Sequence, residues 1–226
     1  MNALKFHVRK LLGLPVHYYI TPARIPSSSH QPVLAAIAQL FPIKRVLELG
    51  SGEFSTAAFL NRTLFPHVEH VLSIETNPGW KQHVERFIGP DSRLQIALVD
   101  GDIRKNAANF DYPAFDLVFV DSGTTPIERA TMIEEVAKRH HASNLVVCHD
   151  FEKAVYQEAA TAFPNRLCFD ALRPYTAVFW KHGRMDNVTL AKLKRLKRLI
   201  ARHAGKTEPD EIDAWIEIVA ERRQIS

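Results

Sequence analysis

Short apolar runs recur along the chain and alternate with stretches in which apolar residues have helical spacing. Each run is about four to eight residues long and rich in Val, Ile and Leu, a pattern that predicts buried strands. Strands that alternate with helices predict a mostly parallel sheet covered by helices on both faces. The last two runs have no helix between them, so we expect an antiparallel hairpin at one edge. The predicted strands span residues 46–49, 70–74, 94–99, 115–120, 144–148, 166–171 and 175–180.

A glycine turn follows the first predicted strand and precedes a helix. The turn is Gly50-Ser51-Gly52, and helical spacing of apolar residues begins near Phe54. In α/β sheets this order of elements presents backbone N–H groups and a helix N-terminus to a nucleotide-like ligand. Glycine permits close approach of the ligand and tolerates a positive φ. The turn therefore predicts a small-molecule site, but Gly-x-Gly by itself does not identify the ligand.

Polar residues end the other strands of the predicted parallel sheet. The second strand ends at Glu75, the third at residues 100–102, the fourth at Asp121, and the fifth at His149-Asp150. These strand ends share the edge of the sheet where α/β proteins bind ligands. Glu75 lies at about the distance from the glycine turn at which an acid binds ribose hydroxyls. A ribose belongs to nicotinamide dinucleotides and to S-adenosylmethionine (SAM) alike, so both remain candidates at this point.

Three features favour SAM over a nicotinamide dinucleotide. The third position of the dinucleotide pattern, usually Gly or Ala, is Ser55. Glu48 stands two residues before the first glycine, where a carboxylate can meet the ammonium group of an amino acid. No substantial catalytic domain remains after the sheet.

Residues 33–180 resemble the class I SAM-dependent methyltransferases. The segment Glu48-Leu-Gly-Ser-Gly52 looks like their first motif, acid-x-Gly-x-Gly, although Phe54 stands where the third glycine is usual. Glu75 corresponds to their ribose-binding acid, and Asp102 to the acid that holds the adenine amino group. The resemblance implies a Rossmann-like three-layer α/β sandwich that binds SAM through Glu48, Gly50, Ser51, Gly52, Glu75 and Asp102.

One branch of these enzymes is more similar than the rest. It has an Asp-Gly turn after strand four, here interrupted by Ser122, and a His-Asp pair after strand five. This branch includes small-molecule and sugar O-methyltransferases. The resemblance implies methyl transfer to a hydroxyl, with Asp121 and His149 as catalytic residues. Related enzymes hold a divalent cation, for which Asp121 and Asp150 are the candidate Mg²⁺ ligands; the alternative is a metal-free reaction with His149 as the general base.

The composition fits a single globular domain with terminal additions. The chain has 226 residues, 46% hydrophobic and 24% charged, with a formal net charge of +4. A charge of this size does not indicate a nucleic-acid partner. Cys148 and Cys168 lie in apolar runs and predict buried thiols. No apolar run is long enough for a transmembrane helix, and we expect a cytoplasmic protein.

The ends of the chain predict helical additions to a domain at residues 32–182. Residues 1–14 predict a basic amphipathic helix, and a Pro- and Ser-rich linker follows at 21–29. This segment, with Tyr18 and Tyr19, is a candidate lid over the cofactor. Residues 183–226 predict a hairpin of a basic and an acidic helix, which we expect to pack on the domain. The terminal helices also offer surfaces for a homodimer.

Two other function classes remain open on the sequence alone. The chain fits an NAD(P)-dependent oxidoreductase less well, for the reasons given above. A non-catalytic ligand-binding or assembly protein built on a methyltransferase-like fold is the second alternative. Binding of SAM or NAD separates the enzyme classes, and binding of neither favours the non-catalytic one.

Overall fold

A seven-stranded sheet lies at the centre of the computed structural model, which describes residues 29–99, 103–123 and 125–203. The predicted strands are all present, and their ends lie within two residues of the prediction. The strands are β1 (Arg45–Leu49), β2 (His70–Glu75), β3 (Leu94–Leu98), β4 (Leu117–Val120), β5 (Leu145–Cys148), β6 (Asn165–Phe169) and β7 (Thr176–Trp180).

The strand order across the sheet is β3-β2-β1-β4-β5-β7-β6. Strands β1 to β5 run parallel, and β7 is antiparallel to both β5 and β6, so the predicted fold class and edge hairpin are confirmed. The chain order reverses between β1 and β4, which are neighbours in the sheet. At such a switch point the loops after the two strands diverge and leave a crevice for a ligand.

Helices cover both faces of the sheet and create two apolar cores. One core joins α1, α2 and α7 to the sheet through residues such as Val33, Ala58 and Leu193. The other includes Ile133 and Tyr156 from α5 and α6. The helices are α1 (Gln31–Leu40), α2 (Ser55–Leu60), α3 (Pro78–Ile88), α4 (Ile103–Ala108), α5 (Pro126–Arg139), α6 (Ala154–Ala159) and α7 (Asn187–His203).

Two helical segments differ from the prediction. Helix α4, with a 3₁₀ turn at Tyr112–Ala114, was not predicted, because its short and mostly polar sequence shows no sustained apolar spacing. Residues 151–163 predict a helix by their apolar spacing, but α6 begins only at Ala154, and the backbone N–H of Phe151 donates to the carbonyl of Tyr175. This bond to the chain before β7 holds Phe151 outside the helix.

Helix α7 packs against the domain by the face that its sequence predicts. Leu193, Leu196 and Ile200 are buried in the same core as α1. The predicted N-terminal helix, the lid residues Tyr18 and Tyr19, and the acidic second helix of the hairpin lie outside the described residues, and the homodimer stays a prediction. Within the described ranges, no helix has the length and apolar character required to cross a membrane.

Candidate active site

A pocket opens at the carboxyl ends of β1, β2 and β4, at the switch point of the sheet. The register places Leu49 beside both Ile74 and Val120, so the residues that follow these strands meet at one edge. The pocket is lined by Leu49, Gly50, Ser51, Ile74, Glu75, Thr76, Asn77, Trp80, Val99, Asn106, Phe110, Asp121, Ser122, Gly123 and Met132. It therefore brings together Gly50, Ser51, Glu75 and Asp121 from the sequence-predicted site.

The glycine turn fits tightly against the loop after β4. Gly50 has a φ of +98°, and a Cβ on it would lie 2.8 Å from the backbone of Asp121 and from the Cα of Ser122. A side chain at this position is thus excluded both by its own conformation and by fixed backbone atoms. The turn keeps its backbone accessible on the wall of the pocket.

Gly50→Ala is expected to lower the free energy of unfolding by at least about 2 kcal/mol more than Gly89→Ala. Both glycines have a positive φ, but a Cβ on Gly89 meets nothing within 4 Å. The difference between the two variants therefore isolates the contact with the β4 loop, and urea unfolding measures it. Equal destabilisation by the two substitutions would contradict this tight packing.

Glu75 is held rigidly on the pocket wall. Its Oε2 accepts a hydrogen bond of 2.8 Å from Ser51 Oγ, and its Oε1 accepts bonds of 2.8 and 2.9 Å from the backbone N–H groups of Thr76 and Asn77. The two N–H groups use both lone pairs of Oε1, but Oε2 accepts only one bond and keeps a lone pair for a ligand hydroxyl. Trp80 completes this wall, because its indole N–H donates to the Ser51 carbonyl at 2.8 Å.

Glu48 lies beneath the glycine turn and not on the pocket wall. It is fully buried, and its Oε2 accepts hydrogen bonds of 2.7 Å from the hydroxyls of Thr56 and Ser73. Thr56 Oγ1 in turn accepts the Gly52 backbone N–H at 3.0 Å. The predicted role of Glu48, to anchor a ligand ammonium group directly or through water, stays a prediction. In the structure its carboxylate stabilises the turn through Thr56, whose hydroxyl oxygen accepts the Gly52 N–H.

Burial raises the pKa of Glu48 to about 7, although the hydrogen bonds from Ser73 and Thr56 oppose the shift. Its second oxygen, Oε1, is buried without a hydrogen-bond partner among the described residues. Both observations have the same cause, which is that the carboxyl group is removed from water without a positively charged neighbour of its own. The carboxyl group beneath the glycine turn is thus partly protonated at neutral pH.

Arg129 on α5 joins the two acids that follow β4 and β5. Its Nη1 lies 2.9 Å from Asp121 Oδ1 and also contacts Asp150 Oδ2. Its Nε donates to the Ser122 carbonyl at 2.9 Å, and only 11% of its side chain is exposed. Helical spacing did not show that this side chain reaches back over the strand ends.

The predicted Mg²⁺ pair of Asp121 and Asp150 does not fit this geometry. One guanidinium nitrogen contacts both carboxylates and already supplies the positive charge between them. Mg²⁺ prefers oxygen ligands in an octahedral arrangement, and a guanidinium in that position excludes it. We therefore derive no step from a magnesium ion at these two residues.

His149 is buried, and both of its ring nitrogens have partners. Nδ1 lies 3.2 Å from Asp121 Oδ2, and Nε2 lies 2.9 Å from Ser29 Oγ. The Ser29 hydroxyl donates its proton to the Pro174 carbonyl at 2.7 Å, so its oxygen accepts from Nε2–H. A carboxylate accepts from Nδ1–H, and the two contacts together indicate an imidazolium.

The charges around His149 agree with this assignment. Burial alone would lower the pKa of His149, but the hydrogen bond to Asp121 and the charges of Asp121 and Asp150 raise it above its usual value. Burial would likewise raise the pKa of Asp121, but His149 and Arg129 bring it below its usual range. Asp121 is therefore ionised at neutral pH, whereas His149 has no free lone pair in this arrangement and is poorly placed as the predicted general base.

Ser29 and His30, at the start of the described chain, lie beside His149, although the sequence did not predict them as site residues. His30 is 1% exposed, with its ring centroid 4.7 Å from that of His149 and 5.0 Å from that of Phe119. Neither ring nitrogen has a hydrogen-bond partner within residues 29–99, 103–123 and 125–203. Burial and the neighbouring His149 lower the pKa of His30 to about 3, so it is neutral. No periodic signal marked these residues, because their partners lie far along the chain.

The far wall of the pocket is the part that the sequence resolved least. Asp102, the predicted adenine-binding acid, lies outside the described residues. Val99, Phe110 and Met132 supply apolar surface there, with Asn106 beside them. Phe110, Met132 and Asn106 were not predicted as site residues. Asn106 lies on α4, which the sequence did not predict, and Met132 has the spacing of an ordinary helix residue. An apolar wall with one amide suits a flat heteroaromatic group.

Comparisons with known proteins agree with this arrangement. Residues 47–151 match a family model described as a methyltransferase domain. No curated protein matches the sequence. Human methyltransferase-like protein 13 in complex with SAH is a structural neighbour with 15% identity and a TM-score of 0.54, covering 80% of this chain and 94% of that chain.

Two further structural neighbours are described as spermidine synthases rather than methyltransferases. A probable spermidine synthase from Corynebacterium glutamicum is 15% identical, with a TM-score of 0.53, and covers 79% of this chain and 72% of that chain. The spermidine synthase from Thermotoga maritima is 13% identical, with a TM-score of 0.52, and covers 85% and 74% respectively. At such identities these structures establish the fold, and the family model supports the predicted class I methyltransferase domain.

Proposed function

We propose that the protein is a SAM-dependent methyltransferase that methylates a hydroxyl group of a small molecule or sugar. The observation that carries the proposal is the meeting of the Gly50 turn, Glu75 and Asp121 on one pocket wall. The backbone of the glycine turn lies on the pocket wall beside an acid with spare acceptor capacity, as the amino-acid and ribose parts of SAM require. The family model and the neighbour solved with SAH support the same cofactor.

The residues divide into a binding group and a reacting group. Glu75 accepts hydrogen bonds from the ribose hydroxyls, while the backbone at Gly50 and Ser51 faces the amino-acid end. Glu48 acts indirectly, since it fixes Gly52 through Thr56. In our proposal Asp102 retains its predicted role toward the adenine, although it lies outside the described residues. Trp80 fixes the turn through its bond to the Ser51 carbonyl.

Asp121 is the proposed proton acceptor for the substrate hydroxyl. It is ionised, 24% exposed and part of the pocket wall. The cofactor supplies a methyl group from its sulfonium. As the new C–O bond forms, the hydroxyl proton becomes strongly acidic, so even a carboxylate of low pKa can accept it. Arg129 and His149 hold Asp121 in position and keep it charged.

Glu75→Gln is expected to weaken SAM binding roughly 10- to 100-fold, because hydrogen bonds to a charged group contribute about 1.5–3 kcal/mol. Glutamine retains an oxygen for the N–H groups of Thr76 and Asn77, so the local structure survives. Isothermal titration calorimetry with SAM measures the change. Glu69→Gln is the control, since Glu69 is exposed and pairs only with Lys44 among the described residues.

The same calorimetry tests the cofactor assignment on the unmodified protein. We expect a heat of binding with SAM and none with NAD; binding of NAD alone would replace the proposal with an oxidoreductase. The acceptor is tested by incubation with methyl-labelled SAM and a cell extract, followed by mass spectrometry of the labelled product. Label found on nitrogen rather than oxygen would reject the proposed hydroxyl acceptor.

A further inference from the structure

We propose that His30, His149 and Asp121 form a binding site for one divalent transition-metal ion of the zinc class. One ligand atom from each residue lies within 4.8 Å of the other two, the only such group of histidine, cysteine and acidic side chains in the described ranges. This set differs from the Asp121 and Asp150 pair that the sequence predicted for Mg²⁺. It also does not depend on the proposed methyl transfer.

His30 provides the strongest reason to expect a ligand at this position. It is almost completely buried, yet neither of its ring nitrogens has a hydrogen-bond partner among the described residues. A buried polar group without a partner is unfavourable, and a metal ion bound to one imidazole nitrogen lowers this cost. In the part of the chain that the structure describes, the ring contacts of His30 are with Phe119 and His149, and neither contact requires a histidine at this position.

The other two ligands are already oriented by neighbouring groups. His149 Nε2 donates to Ser29 Oγ, which turns Nδ1 toward Asp121 Oδ2. Metal-binding histidines commonly donate their second N–H in this way, and the bond fixes the tautomer. Arg129 holds the remaining oxygen of Asp121 at 2.9 Å. An ion would take the place of the proton between His149 Nδ1 and Asp121 Oδ2.

The ligand chemistry selects the class of metal. Two imidazoles and one carboxylate suit zinc and its first-row neighbours, whereas Mg²⁺ and Ca²⁺ prefer sites made of oxygen atoms. Zinc ligands in a tetrahedral site lie about 3.3 Å from one another, so the ligand atoms, which lie within 4.8 Å, need to approach one another by up to about 1.5 Å. Neither histidine lines the cofactor pocket, whereas Asp121 does. The ion therefore lies behind Asp121 and ties the segment before α1 to the ends of β4 and β5.

The test uses the full chain without an affinity tag and Co²⁺ as a spectroscopic substitute for zinc. After dialysis against micromolar Co²⁺ we expect one bound equivalent and a visible absorption band of nitrogen and oxygen ligation. His30→Phe, a replacement that suits the apolar surroundings, is expected to weaken Co²⁺ binding about 100-fold or more. It is also expected to abolish the rise in melting temperature that Co²⁺ gives the unmodified protein.

His140→Phe is the matched control. His140 is as deeply buried as His30, and its Nε2 also lacks a partner, but it lies against Phe163 and outside the cluster. Retention of one equivalent by His140→Phe and its loss in His30→Phe would support the site. Equal retention by both variants would mean adventitious binding elsewhere on the chain and would overturn the proposal.

Two further outcomes also decide the matter. If the unmodified protein retains no Co²⁺ or Zn²⁺, or if it binds Mg²⁺ in preference, the proposal is wrong whether or not the variants fold. If His30→Phe does not fold, Ser29→Ala provides the second test, because loss of the bond to His149 should weaken binding about tenfold. Calorimetry with SAM on the same samples reports the cofactor site separately, so the two proposals fail independently.

Discussion

Asp121→Asn is expected to lower the methyl-transfer rate by about 10²- to 10⁴-fold, the usual contribution of a positioned base. The amide cannot accept a proton, but it is the same size and keeps an oxygen for Arg129. Because the Gly50 turn and Glu75 are unchanged, the affinity for S-adenosylhomocysteine should stay within a few-fold of the original value. Steady-state kinetics with the trapped acceptor and calorimetry measure the two quantities.

Asp116→Asn is the control for this prediction. Asp116 stands at the opposite end of β4, where its carboxylate accepts the backbone N–H groups of Lys44 and Arg45 at 2.8 and 3.0 Å. Its replacement should lower stability slightly and leave the reaction rate unchanged. If Asp121→Asn retained nearly full activity, Asp121 would not be the proton acceptor. If it lost cofactor binding instead, its role would lie in the pocket structure.

Arg129→Met is expected to lower the free energy of unfolding by about 3 kcal/mol at neutral pH, because it leaves Asp121 and Asp150 without their shared positive partner. Methionine retains much of the apolar volume of the side chain, so lost charge dominates the effect. Urea unfolding of the two proteins across a pH series measures the difference.

The pH dependence of this difference has a definite sign. Arg129 contributes to the lowered pKa of Asp121, and a lowered carboxyl pKa gives stability that is present above the unfolded value and lost as the pH falls through the folded value. The gap between wild type and Arg129→Met should therefore be full at neutral pH and shrink below about pH 4. A gap that does not change with pH would point to lost packing instead.

Arg139→Met on the same helix provides the matched control. Arg139 pairs with Glu135 at 3.2 Å, but 46% of its side chain is exposed. Exposed ion pairs contribute between about 0 and 1 kcal/mol, so this variant should unfold almost as the wild type does. A large effect at Arg139 would show that arginine replacements on α5 act through the helix itself rather than through the two acids.

The sequence predicts the strand ends well because a strand has a simple period and a clear boundary. Gly50, Glu75, Asp121 and His149 each follow an apolar run directly, and parallel register then brings them to one edge. The sequence does not predict in which direction a side chain at that edge points. Glu48 lies beneath the turn because register places it beside Ser73, a pairing that no local pattern displays.

The partners that arrive from elsewhere in the chain could not be predicted. Arg129 contacts both acids from a helix whose own spacing gives no reason to prefer this residue over an exposed one. Ser29 belonged to a segment that the sequence indicates only as a linker, yet it bonds to a histidine 120 residues away. Contacts of this kind depend on tertiary packing, and they determine the charge state of the site.

The bond from Ser29 to Pro174 also affects the order in which a newly synthesised chain can complete its site. The strands that form the ligand pocket end at Val120, so their residues leave the ribosome early. Pro174 lies between β6 and β7, and its carbonyl reaches Ser29 only once the hairpin has paired with β5. All the residues that line the pocket therefore leave the ribosome before Pro174, so the contact that orients Ser29 toward His149 can form only after they have been synthesised.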